Sequence, residues 1–128
     1  MYSLSNLTTL GAEMIRNSRR INWVKAALKD FQEFPEDARI RALMVLTFVA
    51  EGVTPDIAKP LAGLGSGVWE LAIKARGDAF RVVYALQLCE DIWVVHAFQK
   101  KSKKGIATPK HDIDLVRERI KRLKEYLS

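Results

Sequence analysis

Apolar residues fall three and four apart through Val24, Ala27, Leu28 and Phe31, the spacing of one helix face, and Phe34-Pro35 ends that run. Pro35 followed by Glu36 and Asp37 opens a second helix, because proline suits the first turn and acids face the positive end of the helix dipole. Its expected core face holds Ile40, Leu43, Met44 and Thr47, and Gly52 and Pro55 close it. The stretch with Gly63, Gly65 and Gly67 reads as a turn-rich connector. From Val68 the period becomes two, with Trp69, Leu71 and Ile73 alternating with Glu70, Ala72 and Lys74. Gly77-Asp78 supplies a hairpin turn and Glu90-Asp91 a second one. The strands they delimit, Phe80 to Leu88 and Ile92 to Phe98, are apolar on both faces and belong mid-sheet. Thr108-Pro109 then caps a last helix whose inner stripe is Ile113, Val116, Ile120, Leu123 and Leu127.

With Ile21 to Trp23 as a short first strand, the expectation is an α+β fold. N-terminal helices pack on an antiparallel sheet of three to four strands, and a C-terminal helix follows. Residues 1–20 form an N-terminal helical arm with a stripe of Leu4, Leu7, Leu10 and Met14, and residues 21–128 form the domain proper. Arg16, Arg19 and Arg20 follow the arm's apolar positions instead of preceding them, against the order of a cleaved targeting peptide.

A chain of 128 residues with 48% apolar content can bury one core, and its net charge of +6 calls for an acidic partner. No apolar run approaches the roughly 18 residues of a membrane span, so no membrane partner is expected. Cys89, the only cysteine, falls in an apolar strand pattern, which predicts a buried, reduced thiol in a cytoplasmic protein. Two histidines fifteen residues apart and scattered carboxylates make no ligand cluster, so neither a metal nor another cofactor is expected. The glycine-rich connector leads into a strand, whereas a phosphate cradle opens a helix.

The strand ending at Phe98-Gln99 empties into a cationic loop in which Lys100, Lys101, Lys103 and Lys104 are four of five residues. Several positive charges fixed on a rigid support suit a phosphate-rich partner. This loop also carries a resemblance. The run Val95-His96-Ala97-Phe98-Gln99-Lys100-Lys101-Ser102-Lys103-Lys104-Gly105-Ile106-Ala107-Thr108-Pro109 is its most specific part. Together with Lys59-Pro60-Leu61, Val68-Trp69-Glu70-Leu71 and Phe80-Arg81-Val82-Val83-Tyr84, it resembles the phage-derived Gp49-like branch of the RelE/ParE toxin superfamily, also described as HigB-like. The resemblance covers residues 20 to 127. Many relatives continue Glu-Leu with Arg, where this chain has Ala72, and Lys74 stands one strand period further on the same side.

The resemblance implies a small toxin of a type II toxin–antitoxin system, held inactive by a cognate antitoxin of helix-turn-helix type. Such a toxin is a metal-independent endoribonuclease that cleaves mRNA, in most studied members on the ribosome. The ribose 2′-hydroxyl attacks the adjacent phosphate, and the crowded negative charge needs donors already in place. Arg81 is the leading candidate, because its planar fork stays charged and matches two phosphate oxygens. Lys100 and Lys101 are candidate general acids, since neighbouring ammonium groups repel one another's protons. Glu70 is a candidate base or the ion-pair partner of Arg81. Lys74, Arg76, Lys103 and Lys104 are expected to position phosphates. His96 and Tyr84 are auxiliary candidates, each sharing strand parity with core residues, and His111 is expected to be exposed. Two rivals stand beside the nuclease: ParE-like relatives inhibit DNA gyrase without cutting RNA, and a basic module could bind nucleic acid without catalysis.

Overall fold

The computed structural model describes residues 18–65, 67–101 and 107–128. In chain order the elements are β1 (Ile21–Trp23), α1 (Lys25–Gln32), α2 (Glu36–Ala50), β2 (Ala58–Pro60), β3 (Val68–Ala75), β4 (Asp78–Ala85), β5 (Ile92–Lys100) and α3 (Lys110–Leu127). The arm read over residues 1–20 lies almost wholly outside the described residues. The α+β expectation holds, with one strand more than expected. Five strands run in the order β1-β5-β4-β3-β2, and the outermost pair, β1 with β5, is parallel.

The two edge strands, β1 and the unexpected β2, are short for physical reasons. β1 is held by three residues of register and by the flanking bonds from Ile92 N–H to the Arg20 carbonyl (2.8 Å) and from Val24 N–H to the Val94 carbonyl (2.9 Å). β2 ends in Pro60, which has no N–H to give a ladder, so it serves only as an edge and discourages further pairing. Between β3 and β4 the turn is Arg76-Gly77, one residue earlier than the sequence indicates. Both have positive φ, 56° and 81°, the geometry that matches the twist of a two-residue hairpin.

Helices cover both faces of the sheet. On one face α1 and α2 pack Phe31, Ala38, Ala42 and Leu46 against Leu71, Ile73, Phe80, Val82, Tyr84 and Ile92. On the other, α3 packs Val116, Ile120 and Leu123 against Val68, Val83 and Val95. The stripes read for α1 and α3 are the ones buried. The stripe read for α2 is not: Ile40, Leu43 and Met44 are exposed, and Ala38, Ala42, Leu46 and Val49 face the sheet. α2 is apolar on both sides, and the alanine side permits the closer approach to the sheet.

A β-bulge in β5 sets which side chains share a face. Val83 pairs with His96 and Tyr84 with Val94, leaving Val95 with no residue opposite. Ile92 and Val94 therefore point to the α1/α2 face, while Val95 and His96 both contribute to the α3 face. The simple alternation that put His96 beside Ile92 and Val94 is broken at this point. β4 also ends at Ala85, three residues before the expected Leu88, so Cys89 lies in the β4–β5 loop as an exposed free thiol and not in the core. Arg19 fastens that loop, its guanidinium donating to the carbonyls of Leu86, Cys89 (3.1 Å) and Glu90 (2.7 Å).

Leu71 has no exposed surface and stands mid-sheet under α1 and α2. Leu71→Ala is expected to lower unfolding stability by about 2–5 kcal/mol in urea titrations, the cost of a partly collapsible cavity.

Candidate active site

Strand register assembles the site. Along the face that carries α3, Lys74, Ala79 and Lys100 form one row across β3, β4 and β5. Ala72, Arg81 and Phe98 form the next, and Glu70, Val83 and His96 the third. Rows two strand positions apart lie under 7 Å from one another, so Lys74, Lys100, Arg81 and Glu70 share one patch. Ala72 adjoins Arg81 directly, and Lys74 stands one period beyond it on the same face, as the alternation of β3 requires.

Arg81 is fixed by its neighbours. Its Nη1 donates to Glu70 Oε1 at 2.7 Å, with the two side chains only 13% and 5% exposed. The other carboxylate oxygen, Oε2, accepts a 2.7 Å bond from the Thr108 hydroxyl. The sequence marks Thr108 as a helix cap, yet the residue at the cap position is Pro109 and the hydroxyl is committed to Glu70. Glu70 is thus clamped from both sides. Arg81 Nε is buried without a hydrogen-bond partner among the described residues.

A second network borders the first. Arg119 Nη1 donates to the Val95 carbonyl (3.0 Å) and lies 3.1 Å from His96 Nδ1. Arginine can only donate, so Nδ1 accepts and the ring proton sits on Nε2, which donates to Asp112 Oδ1 at 2.7 Å. Burial lowers the His96 pKa below its ordinary value and the Arg119 charge adds to that, while Asp112 and Asp30 oppose it. Protonating Nδ1 would set two donors against each other. His96 also stacks on Phe98, with centroids 5.0 Å apart. Sequence reading found His96 but missed Thr108, Asp112 and Arg119, whose polar side chains on or before α3 look solvated until the helix is laid on the sheet.

Other candidates lie elsewhere. Lys101 lines a cleft of about 600 Å³ beside the edge of β5 with Asp30, Glu33 and Asp78, so adjacent lysines serve different surroundings. Arg76, at the hairpin tip, is an exposed partner of Asp37 at 3.3 Å. Tyr84 is buried on the opposite face, its phenol pushed up to about 12 by desolvation, so it belongs to the core. His111 is exposed. Lys103 and Lys104 lie outside the described residues. Among the described residues no three His, Cys, Asp or Glu side chains are grouped to hold a metal ion, and no helix is long and apolar enough to cross a membrane.

The family described as phage-derived protein Gp49-like matches residues 29–121. The fold is similar to that of the E. coli toxin RelE. An arginine-to-alanine double mutant of RelE in the free state superposes with a TM-score of 0.57 at 17% identity, covering 83% of this chain and 98% of that one. The isolated RelE toxin gives a TM-score of 0.52 at 19% identity, covering 83% and 99%. No curated protein matches the sequence.

His96 gives the fold a pH signature. Its folded pKa lies below the 6.5 of the unfolded chain, so on acidification the unfolded state takes up the proton first. The stabilising contribution is complete above 6.5 and is lost as pH falls through the folded value. Urea titrations between about pH 7.5 and about pH 5 are expected to show stability falling with acid, and His96→Gln is expected to flatten that slope.

Proposed function

The chain belongs to the phage-derived Gp49-like family, and from that premise we propose that it is the toxin of a toxin–antitoxin pair, acting as an endoribonuclease on mRNA. The observation that supports this most is the shared face of Arg81, Lys100, Lys74 and Glu70, in successive rows one strand period apart on the sheet. In the proposed reaction the 2′-hydroxyl oxygen bonds to phosphorus and the bond to the 5′-oxygen breaks. A 2′,3′-cyclic phosphate remains on one fragment and a 5′-hydroxyl on the other.

Each residue has a role set by its surroundings. Arg81, held by Glu70, meets the charge that builds on the phosphate oxygens without having to reorganise. Lys100 is buried at the rim, where a low dielectric strengthens its pull on an anion, and it supplies the proton to the departing 5′-oxygen. Glu70 aligns Arg81 and takes the 2′-hydroxyl proton when the incoming ribose replaces the Thr108 hydroxyl. Lys74, with Lys103 and Lys104, carries flanking phosphates. Lys101 lies on the side of Asp30 and Glu33, and its proposed part is to steer the strand toward the patch, not to transfer protons. The expected partners are mRNA, the ribosome and an antitoxin whose acidic or amphipathic segment covers the basic patch. The ParE-like alternative is gyrase inhibition without RNA cleavage, which requires no general acid or base.

Induced expression followed by primer extension is expected to show discrete transcript cuts. Arg81→Ala should reduce them by about 10²–10³-fold, the loss that follows removal of one prepositioned donor. Arg81→Lys should not restore them, because a point charge cannot reproduce the fork. Gyrase-dependent DNA breaks without RNA cuts would overturn the reading. Cleavage of translating ribosomes' message alongside intact bare RNA would establish ribosome dependence. Lys74→Ala is expected to weaken RNA binding and lower the salt dependence by about one phosphate contact while leaving the single-turnover rate near wild type.

A further inference from the structure

α3 carries a second stripe next to its buried one. Arg117, Lys121 and Lys124 each follow a core residue of that helix, Val116, Ile120 and Leu123, so they align along one exposed flank. With Gly63 and Gly65 of the turn before β3 they line a groove of about 510 Å³, together with the buried Leu64 and Ile120. Lys121 and Lys124 have no ion-pair partner among the described residues. Arg117 shares the Asp114 carboxylate with Lys110, and Glu125 also lines the groove. The reaction assigned above gives none of these cations a role.

The sheet connects this groove to the candidate active site. Lys59 on β2 stands opposite Glu70, so it extends the row of Glu70, Val83 and His96 outward on the same face, where it is exposed. Two positions before Glu70 on β3 is Val68, which packs with Leu64, Ile120 and Leu123 beneath the groove. The groove therefore begins roughly 7 Å beyond Glu70, on the side away from Lys74 and Lys100. We propose that it holds the RNA strand on the 5′ side of the cut.

The polarity rests on the nuclease reading. Glu70 takes the proton of the 2′-hydroxyl, which belongs to the nucleotide 5′ to the scissile phosphate, and Lys100 protonates the 5′-oxygen of the nucleotide on the 3′ side. The strand thus runs 5′ to 3′ from the row of Glu70 to the row of Lys100. Its upstream continuation passes Lys59 and meets Arg117, Lys121 and Lys124, which are spread over about 10 Å of helix axis. The walls suit a nucleic-acid backbone better than an acidic polypeptide. A bound peptide or helix anchors through side chains seated in apolar pockets, whereas Leu64 and Ile120 are buried here and the exposed lining is cationic side chains and glycine backbone. Open space stands where a Cβ would lie on Gly63 and Gly65, so a phosphate can approach the main chain closely. Contacts of this kind fix register and affinity and leave base choice untouched.

The test measures binding of single-stranded RNA to the full chain by fluorescence anisotropy at low salt. One probe is a core oligonucleotide spanning the cut mapped by primer extension, with 2′-deoxyribose in place of the attacking ribose. The others extend that core by about four nucleotides on the 5′ or the 3′ side. The 5′ extension is expected to tighten binding several-fold. Lys121→Ala/Lys124→Ala removes that gain and lowers the salt slope by about 1.4, the counterion release of two phosphates on a single strand. Lys25→Ala/Lys29→Ala, which takes the same charge from α1 on the opposite face, keeps the gain. A 5′ gain that survives Lys121→Ala/Lys124→Ala, no 5′ gain in the wild type, or loss of a 3′ gain instead would each overturn the proposal, and the nuclease reading would still stand on Arg81-dependent cuts. With no cut to map, no oligonucleotide bound, or cuts indifferent to Arg81→Ala, the nuclease reading itself has failed and the assignment of the groove falls with it.

Discussion

The unpaired residue Val95 is the constraint on which the arrangement depends. A regular β5 would carry His96 to the α1/α2 face with Ile92 and Val94, and every later side chain would change sides with it. Phe98 and Lys100 would then leave the face of Arg81, and Lys100 would stand behind the sheet. One additional residue re-aims the second half of β5, which is the recurrent use of bulges beside functional sites. It also places Val95 in the α3 core and His96 immediately after it in a polar network, so packing and chemistry meet on adjacent residues.

The two polar networks share one helix. Thr108 reaches Glu70 just before α3 begins, Asp112 meets His96 one turn in, and Arg119 closes on His96 and the Val95 carbonyl two turns later. Buried charges such as these add little net stability, because desolvation offsets most of the attraction. Their effect is on geometry. With both oxygens of Glu70 occupied, the Arg81 guanidinium has one orientation, and α3 cannot slide along the sheet without breaking bonds in both networks.

Much of this was legible along the chain. α1 and α3 each have one apolar stripe and one polar side, so their buried faces follow from spacing alone. The β3–β4 hairpin announces itself through alternation and Gly77, and Glu70, Ala72 and Lys74 share a side of β3 by parity alone. The failures have particular causes. α2 is apolar on two sides, so periodicity offers two faces and the larger side chains point to the wrong one; closeness of approach, which favours Ala38 and Ala42, decides. β2 is three residues long and contains proline, below what an alternation pattern can reveal. The bulge leaves no local mark in Val94-Val95-His96, and Cys89 follows apolar residues that belong to a loop tied down by a distant arginine. Thr108 is a fair helix cap by type, and only the folded sheet supplies the competing acceptor.

The parallel pairing of β1 with β5 joins residues about seventy positions apart in a small sheet. Contacts that distant close slowly, after the local hairpins β3–β4 and β4–β5 have formed. On a chain being synthesised from its N-terminus, Ile21 to Trp23 must wait for Val94 to emerge, and α3, which completes the clamp on Glu70, emerges last. A polypeptide that has not yet produced α3 therefore leaves Glu70 without its Thr108 bond and His96 without Asp112 and Arg119, so the two polar networks close only after every strand of the sheet has been made.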